Sequence, residues 1–308
     1  MLRSAFLAGL AALLGAAPAC AHVVAGARVF PVTLTFDDPG VNDEATLLSF
    51  SHLQASGPTN QNNYGFEYDK TITEHTALIL NDGLTTITSP AGNRSGWTNL
   101  TLTGKWQAYT NAAHEFVVSL GVIHSFGNTG STQVDDQTGT TAPAAYFGKG
   151  LGELPIGMLR PLAITGELYY TVPGRSLKVM TVTDPSTGLV SQQLNNGLGK
   201  TWFGGFSVQY SIPYLQSQVR DVGLTGVFSK LIPIVELTWS SAASSPSQQP
   251  TTAVAAPGVI YLATWGEIGL EALMPLNRAS GTHVGVVGLV HFFFDDLLPN
   301  SLGRPIFR

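Results

Sequence analysis

Between Gly96 and Tyr109 the side chains alternate in character at every residue. Trp97, Asn99, Thr101, Thr103, Lys105, Gln107 and Tyr109 form one set, and Thr98, Leu100, Leu102, Gly104, Trp106 and Ala108 the other. The first set is largely polar and the second largely apolar. A period of two is the signature of a β-strand, because successive side chains leave opposite faces of the sheet. The constraint it sets is strong: one face must meet water and the other must escape it. Which face is inside depends on what surrounds the sheet.

The same alternation recurs along the chain. Tyr64, Phe66 and Tyr68 oppose Glu67, Asp69 and Thr71. Phe116, Val118, Leu120 and Val122 form an apolar face of the next clear strand. Leu162, Ile164, Gly166, Leu168 and Tyr170 oppose Ala163, Thr165, Glu167, Tyr169 and Thr171. Trp202, Phe206, Val208 and Tyr210 oppose Ser207 and Gln209. Twelve strands are expected: 44–53, 63–73, 76–88, 96–109, 115–126, 144–151, 159–172, 202–212, 231–241, 258–264, 267–275 and 282–294.

Charge decides which way the faces turn. Only 11% of the residues are charged, against about 25% in an average soluble domain. A chain so poor in charge needs an apolar surrounding. No apolar run beyond the N-terminus is long enough for a membrane-spanning helix. A transmembrane β-barrel satisfies both facts, since each of its strands need be apolar on one face only.

The connections fit a barrel. Those at 127–141, 173–200 and 242–256 are long and polar, and they alternate with short turns such as Glu74-His75. Long extracellular loops on one side and short periplasmic turns on the other are the outer-membrane arrangement. The connector 213–230 is long on the short-turn side and has room for a further short strand. Aromatic residues recur near strand ends, including Tyr64, Trp97, Tyr109, Phe126, Trp202, Trp239 and Trp265, as interfacial belts require. The expected fold class is therefore all-β: an antiparallel transmembrane β-barrel of about 12 strands. The competing reading is a secreted β-sandwich or propeller with its apolar face inward.

Residues 1–21 read as a cleaved signal peptide: Arg3, an apolar run Ala5–Ala17, and an Ala19-Cys20-Ala21 cleavage site. Cys20 follows a poor lipidation motif, Ala17-Pro18-Ala19. Residues 22–43 form an N-terminal periplasmic extension, 44–294 the barrel, and 295–308 a C-terminal periplasmic tail. Export of this kind places the chain in the outer membrane of a Gram-negative bacterium. Its partners would be outer-membrane lipid, the barrel-assembly machinery and a small-molecule solute. A net charge of −5 without a basic patch gives no surface for nucleic acid.

If the apolar face meets lipid, parity puts Glu67, Asp69, Asn99, Lys105, Gln107, Glu115, Glu167, Tyr169, Gln209, Glu236, Glu267, Glu271 and His291 in the lumen. Lys149 is a further candidate base. Carboxylates in a pore favour cations, although pairing with Lys and Arg would serve structure alone. A one-residue bulge would reverse the parity of any strand. The lumen could be open, or plugged by the N-terminal extension or a loop.

Nothing points to an enzyme, a metal or a cofactor. His124-Ser125-Phe126-Gly127-Asn128 is the nearest approach to a Ser-His pair, and it lacks the residue order of outer-membrane phospholipases. The pairs Asp37-Asp38 and Asp295-Asp296, each following a Phe, would lie at the periplasmic rim, where solvated turns or a divalent cation both suit them. The glycines around Gly148-Lys149-Gly150 match no phosphate loop and would relieve crowding within strands.

Several short runs resemble one bacterial family. They are Gly65–Thr73, Asn99–Tyr109 followed by His114-Glu115-Phe116, Phe147–Gly150 with Leu159–Leu162, Met274–Arg278, and His291–Asp296. The family is the outer-membrane group labelled as the meta-pathway of phenol degradation. The resemblance implies a barrel with transporter-like function and uptake of hydrophobic or aromatic compounds, with no catalytic residues. The chain departs from the usual barrel ending, because fourteen residues follow Phe294. The expected function is a porin-like passive channel for small solutes. The alternative is a non-conducting barrel with a structural or partner-docking role.

Overall fold

The computed structural model describes residues 23–54, 58–183, 189–195, 197–244 and 249–307. The expected signal peptide, residues 1–21 with Cys20, lies outside these residues. Twelve strands form the barrel. They are β1 (Glu44–Gln54), β2 (Asn60–Thr73), β3 (Thr76–Ser89), β4 (Thr101–Asn111), β5 (Phe116–Ser125) and β6 (Thr140–Gly150), then β7 (Leu162–Pro173), β8 (Thr201–Tyr210), β9 (Leu231–Ala242), β10 (Thr252–Leu262), β11 (Gly266–Pro275) and β12 (Gly285–Phe293). Each pairs antiparallel with its sequence neighbours, and β12 pairs with β1 to close the ring. Closure leaves no barrel edge with unpaired backbone groups, which hydrocarbon would not tolerate.

The apolar face points outward. Leu78, Trp106, Leu120, Val122, Leu168, Trp202, Phe206, Val208, Val235, Leu237 and Leu270 are all exposed. Their strand neighbours Lys105, Ser119, Thr165, Glu167, Ser207, Glu236 and Glu271 are buried. The inverted pattern, apolar outside and polar inside, is that of a barrel surrounded by lipid.

Two departures from the expected strands have local causes. First, the alternation from Gly96 to Tyr109 is not one strand. The upper part of β3, Leu84–Ser89, pairs with a short strand, Gly92–Trp97. The chain then crosses to begin β4 at Thr101, which pairs with Asn81. The carbonyl of Trp97 accepts from the Ser131 amide of the next loop at 2.8 Å. Second, bulges shift parity. One lies between Gln107 and Tyr109 and turns Tyr109 outward, 50% exposed, although numbering puts it with Lys105. Another lies between Thr46 and Ser49, so Leu47 and Leu48 both face out while Thr46 is buried.

The loop 173–200 carries a two-stranded hairpin of Val179–Thr183 and Val190–Leu194. The connector 213–230 holds short helical turns, and its described residues include no strand. The C-terminal segment is tied to the turn end of β2, where Ile306 and Phe307 donate their amides to the Thr71 and Ile72 carbonyls.

Candidate functional site: a barrel interior filled by the chain's own N-terminus

The segment expected to be a periplasmic extension enters the barrel. Its first part is a hairpin, Val23–Ala25 with Arg28–Phe30, turned by Gly26 at a φ of 68°. A side chain at Gly26 would strike the Ala112 carbonyl. Ala25 and Phe30 bury against Val117 of β5 and Ala163 of β7.

Arg28 clamps this hairpin to the turn end and is fully buried. Its Nε donates to Glu115 Oε2 at 3.2 Å, Nη1 to the Pro161 carbonyl at 2.9 Å and Nη2 to the Arg160 carbonyl at 2.6 Å. The guanidinium lies 3.7 Å from the ring centroid of Tyr214, whose hydroxyl donates to Glu115 Oε1 at 2.6 Å. Glu115 has a left-handed backbone, φ 47°, a conformation that costs a residue with a Cβ roughly 1–2 kcal/mol. The ion pair compensates that cost. Tyr214 also gives the long connector 213–230 a reason to sit on the short-turn side: it covers Arg28.

From Val32 to Gly40 the chain runs through the interior, held by wall side chains. The Val32 amide donates to Glu267 Oε2 at 3.1 Å. Leu34 and Thr35 donate their amides to the two oxygens of Glu236, both at 2.8 Å, and the Thr35 hydroxyl also donates to Glu236. The Asp37 amide donates to Glu167 Oε2 at 3.2 Å. On the opposite wall Lys105 Nζ binds Asp37 Oδ1 at 2.8 Å and the Asp38 carbonyl at 3.0 Å, and sits 4.7 Å from the Tyr146 ring centroid. Ser119 Oγ donates to the Pro39 carbonyl at 2.5 Å. An irregular strap inside a barrel cannot use a sheet ladder, so wall carboxylates accept its backbone N–H groups instead.

Inward glycines make room for it. A Cβ on Gly205 would come within 2.4 Å of Phe36, one on Gly269 within 2.7 Å of Leu34, and one on Gly148 within 3.1 Å of Pro39. Leu34 packs against an apolar wall of Ile232, Ile234 and Ile260, and against Leu273 and Val287. The inward face is therefore not polar throughout, because β9 to β12 carry this apolar share. The strap regains the wall at Asp43, which accepts from Lys70 Nζ at 2.6 Å and from the Thr71 amide at 2.8 Å.

The expected lumen residues fall into groups. Asp69, Lys105, Glu167, Gln209, Glu236, Glu267, Glu271 and His291 are buried on inward positions of the strands. Glu67 is half-buried and beside them, and Tyr169 stacks on Phe203 with ring centroids 4.6 Å apart. Glu115 belongs to the Arg28 clamp, and Asn99 is bound into the loop at Asp136 and Gly130. Gln107, half-buried, bonds Thr110 near the turn end. Lys149 is not an interior base: it reaches Glu153 and the His114 carbonyl at the turn-end rim. Asp37-Asp38 is not at the rim but inside, as the counter-charge to Lys105. Asp295 Oδ1 accepts from the Asp43 amide at 3.1 Å. Sequence reasoning missed Arg28, Asp43 and Glu44. Glu44 is buried with its Oε2 3.2 Å from His291 Nε2. The His124 Nδ1 pairs with the Thr141 hydroxyl at 2.8 Å rather than with Ser125. Among the described residues no group of three or more His, Cys, Asp or Glu is arranged to hold a metal ion.

Between the strap and the walls of β12, β1, β2 and β3 lies a cavity of about 500 Å³. Its wall positions, including Ser49, Ser51, Asn63, Gly83 and Thr85, place it on the loop side of the strap.

No family model matches the chain, and no curated protein matches it either. Among solved structures, an outer membrane channel from Pseudomonas putida F1 aligns over 86% of this chain and 99% of its own, with a TM-score of 0.50 at 14% identity. The β domain of the Bordetella autotransporter BrkA covers 83% and 100%, with a TM-score of 0.46 at 16% identity. The NanC porin covers 80% and 98%, with a TM-score of 0.44 at 10% identity. The likeness to the first shows the fold, a closed outer-membrane type of barrel.

Proposed function

We propose that the chain is a passive channel of the Gram-negative outer membrane, held here with its lumen occupied by its own residues 32–40. The short turns and both ends face the periplasm, and the long loops face outside. The observation that carries this reading is the way the strap is held. Four of its backbone amides donate to the buried carboxylates Glu267, Glu236 and Glu167, the cavity lies along one side of it, and its two ends are clamped at Arg28 and Asp43. Such a strap can shift between the clamps without unfolding the barrel. The outward apolar belt supports membrane insertion, and the cavity on the loop side supports entry of a small solute.

Single-channel recording in a planar bilayer tests it, comparing the full chain with a variant in which residues 32–40 are replaced by a shorter Gly-Ser link. The full chain should give small or brief steps and the variant larger, longer ones, with cations preferred in a salt gradient. The barrel filled by Arg28, Phe30, Leu34 and Phe36 favours the second reading, a non-conducting structural barrel. That reading stands instead if the folded variant passes no current. Liposome swelling with hydrophobic and aromatic compounds then addresses the solutes that the family resemblance implies.

A further inference from the structure

We propose that the cavity on the loop side of the strap binds a small amphiphilic organic cation, with Glu67 as the counter-ion to its ammonium group. This deepens the channel reading and rests on it.

The cavity has two unlike walls. One is apolar: Leu34 and Phe36 of the strap face it together with Val287 and Leu289 of β12. The other is polar, built by Ser49, Ser51, Asn63, Glu67, Asn81 and Thr85 of β1 to β3. A volume of about 500 Å³ lies within the range of about 300–1,000 Å³ that holds small-molecule ligands. A wholly apolar solute would leave the polar wall without water or partners, which is costly. A sugar-like solute would waste the apolar wall. The complementary guest has one apolar face and one polar head.

The sign of the head follows from the charges. Among the described residues no Lys, Arg or His lines the cavity, whereas Asp37, Asp38, Glu67 and Asp82 do. The nearest interior base, Lys105, is engaged by Asp37 and the Asp38 carbonyl. Asp38 and Asp82 each accept from a following glycine amide. Glu67 gives Oε2 to the Asn81 amide group, and its Oε1 has no donor among the described residues. Directly beneath it on the same face of β2, Asp69 is buried and its Oδ1 has no hydrogen-bond partner among the described residues. The acidic groups at this wall lie beside no free base among the described residues, and low-dielectric walls strengthen their pull on a cation. An ammonium donor at Glu67 Oε1 fills an open acceptor position on the cavity wall while its apolar body lies on Leu289 and Phe36.

The test is equilibrium dialysis of the full refolded chain in detergent micelles against empty micelles. Benzylammonium is the probe, and benzyl alcohol and ammonium chloride stand for its two halves. Benzylammonium should bind saturably at one site per barrel, about tenfold or more tighter than either half. Glu67→Gln should weaken it by about tenfold. Leu289→Ser should weaken benzylammonium but not ammonium, and it serves as the second variant should E67Q fail to assemble. Glu67→Lys should abolish the site and admit benzoate. Equal binding of ammonium overturns the amphiphile in favour of an inorganic cation site. Equal binding of benzyl alcohol, unchanged by E67Q, overturns the cation. No saturable binding overturns the site. Loss of binding with conductance steps retained removes this ligand alone, whereas loss of conductance from the strap-shortened barrel removes the channel reading.

Discussion

Glu236→Ala should loosen the strap without unfolding the barrel. Glu236 accepts the Leu34 and Thr35 amides, each at 2.8 Å, and the Thr35 hydroxyl. Hydrogen bonds to a charged acceptor contribute about 1.5–3 kcal/mol each, so three of them set an upper bound of roughly 5–9 kcal/mol. Two effects reduce that figure. Water can enter the vacated space and rehydrate both amides, and removing a fully buried carboxylate recovers its desolvation cost. About 2 kcal/mol should remain, which shifts the ratio of seated to unseated strap about 30-fold. Open probability in single-channel recordings should rise by that order. A cysteine at position 35 should react faster with a soluble maleimide in the E236A background. Glu271→Gln is the comparison: that carboxyl is equally buried and lies against Glu236, but it accepts from no strap amide among the described residues, so it should alter ion preference more than open probability. A folded, heat-modifiable E236A barrel with unchanged open probability and unchanged cysteine reactivity refutes the strap's dependence on this carboxylate.

Replacing Arg28 by Ala leaves the buried Glu115 with its Tyr214 and Gly152 donors but without its cation, at a cost of up to about 3–5 kcal/mol, and should expose the hairpin 23–30 to protease while the barrel resists. Gly205→Val places side-chain atoms where Phe36 now sits, and it should raise conductance much as shortening the strap does. Burial and the neighbouring Asp43 carboxylate push the Asp295 carboxyl, on the turn after β12, up to about 7 from an ordinary value of 3.8. Its folded form holds a proton that the free form has lost, so its contribution is full below pH 3.8 and is lost as pH rises through 7. Hydrogen exchange at the Ile306 and Phe307 amides should therefore be slower at pH 5 than at pH 8, after correction for intrinsic rates, and Asp295→Asn should flatten the difference. Glu271→Met should hold or raise the unfolding temperature, since it replaces one of two adjoining buried acids, Glu271 and Glu236, by an apolar side chain of similar volume, and a drop of several degrees would show that the Glu271–Glu236 contact stabilises the barrel.

Much of this protein was legible from alternation alone. Tyr64, Phe66, Leu120, Trp202 and Val208 face out, and Asp69, Glu167, Ser207 and Glu236 face in, because the side-chain period of a strand is local and needs no knowledge of neighbours. Low charge then turned the apolar set toward an apolar surrounding. The turn at Glu74-His75 and the long loops followed from composition.

What tertiary structure alone decided is the content of the barrel. The strap 32–40 carries no periodic signal, since its backbone is irregular and its anchors are amide groups that every residue possesses. The partners that define its path, Glu167, Glu236 and Glu267, lie 130 to 235 residues away in sequence. The inward glycines Gly205 and Gly269 were visible as glycines, but not as the seats of Phe36 and Leu34. Tyr109 and Leu48 show the other limit. An extra residue in a bulge reverses which way a side chain points, and only the pairing of two strands reveals that one of them has a residue to spare. Local chemistry determined which surfaces this chain offers, and long-range geometry decided that its own N-terminus fills the one facing inward.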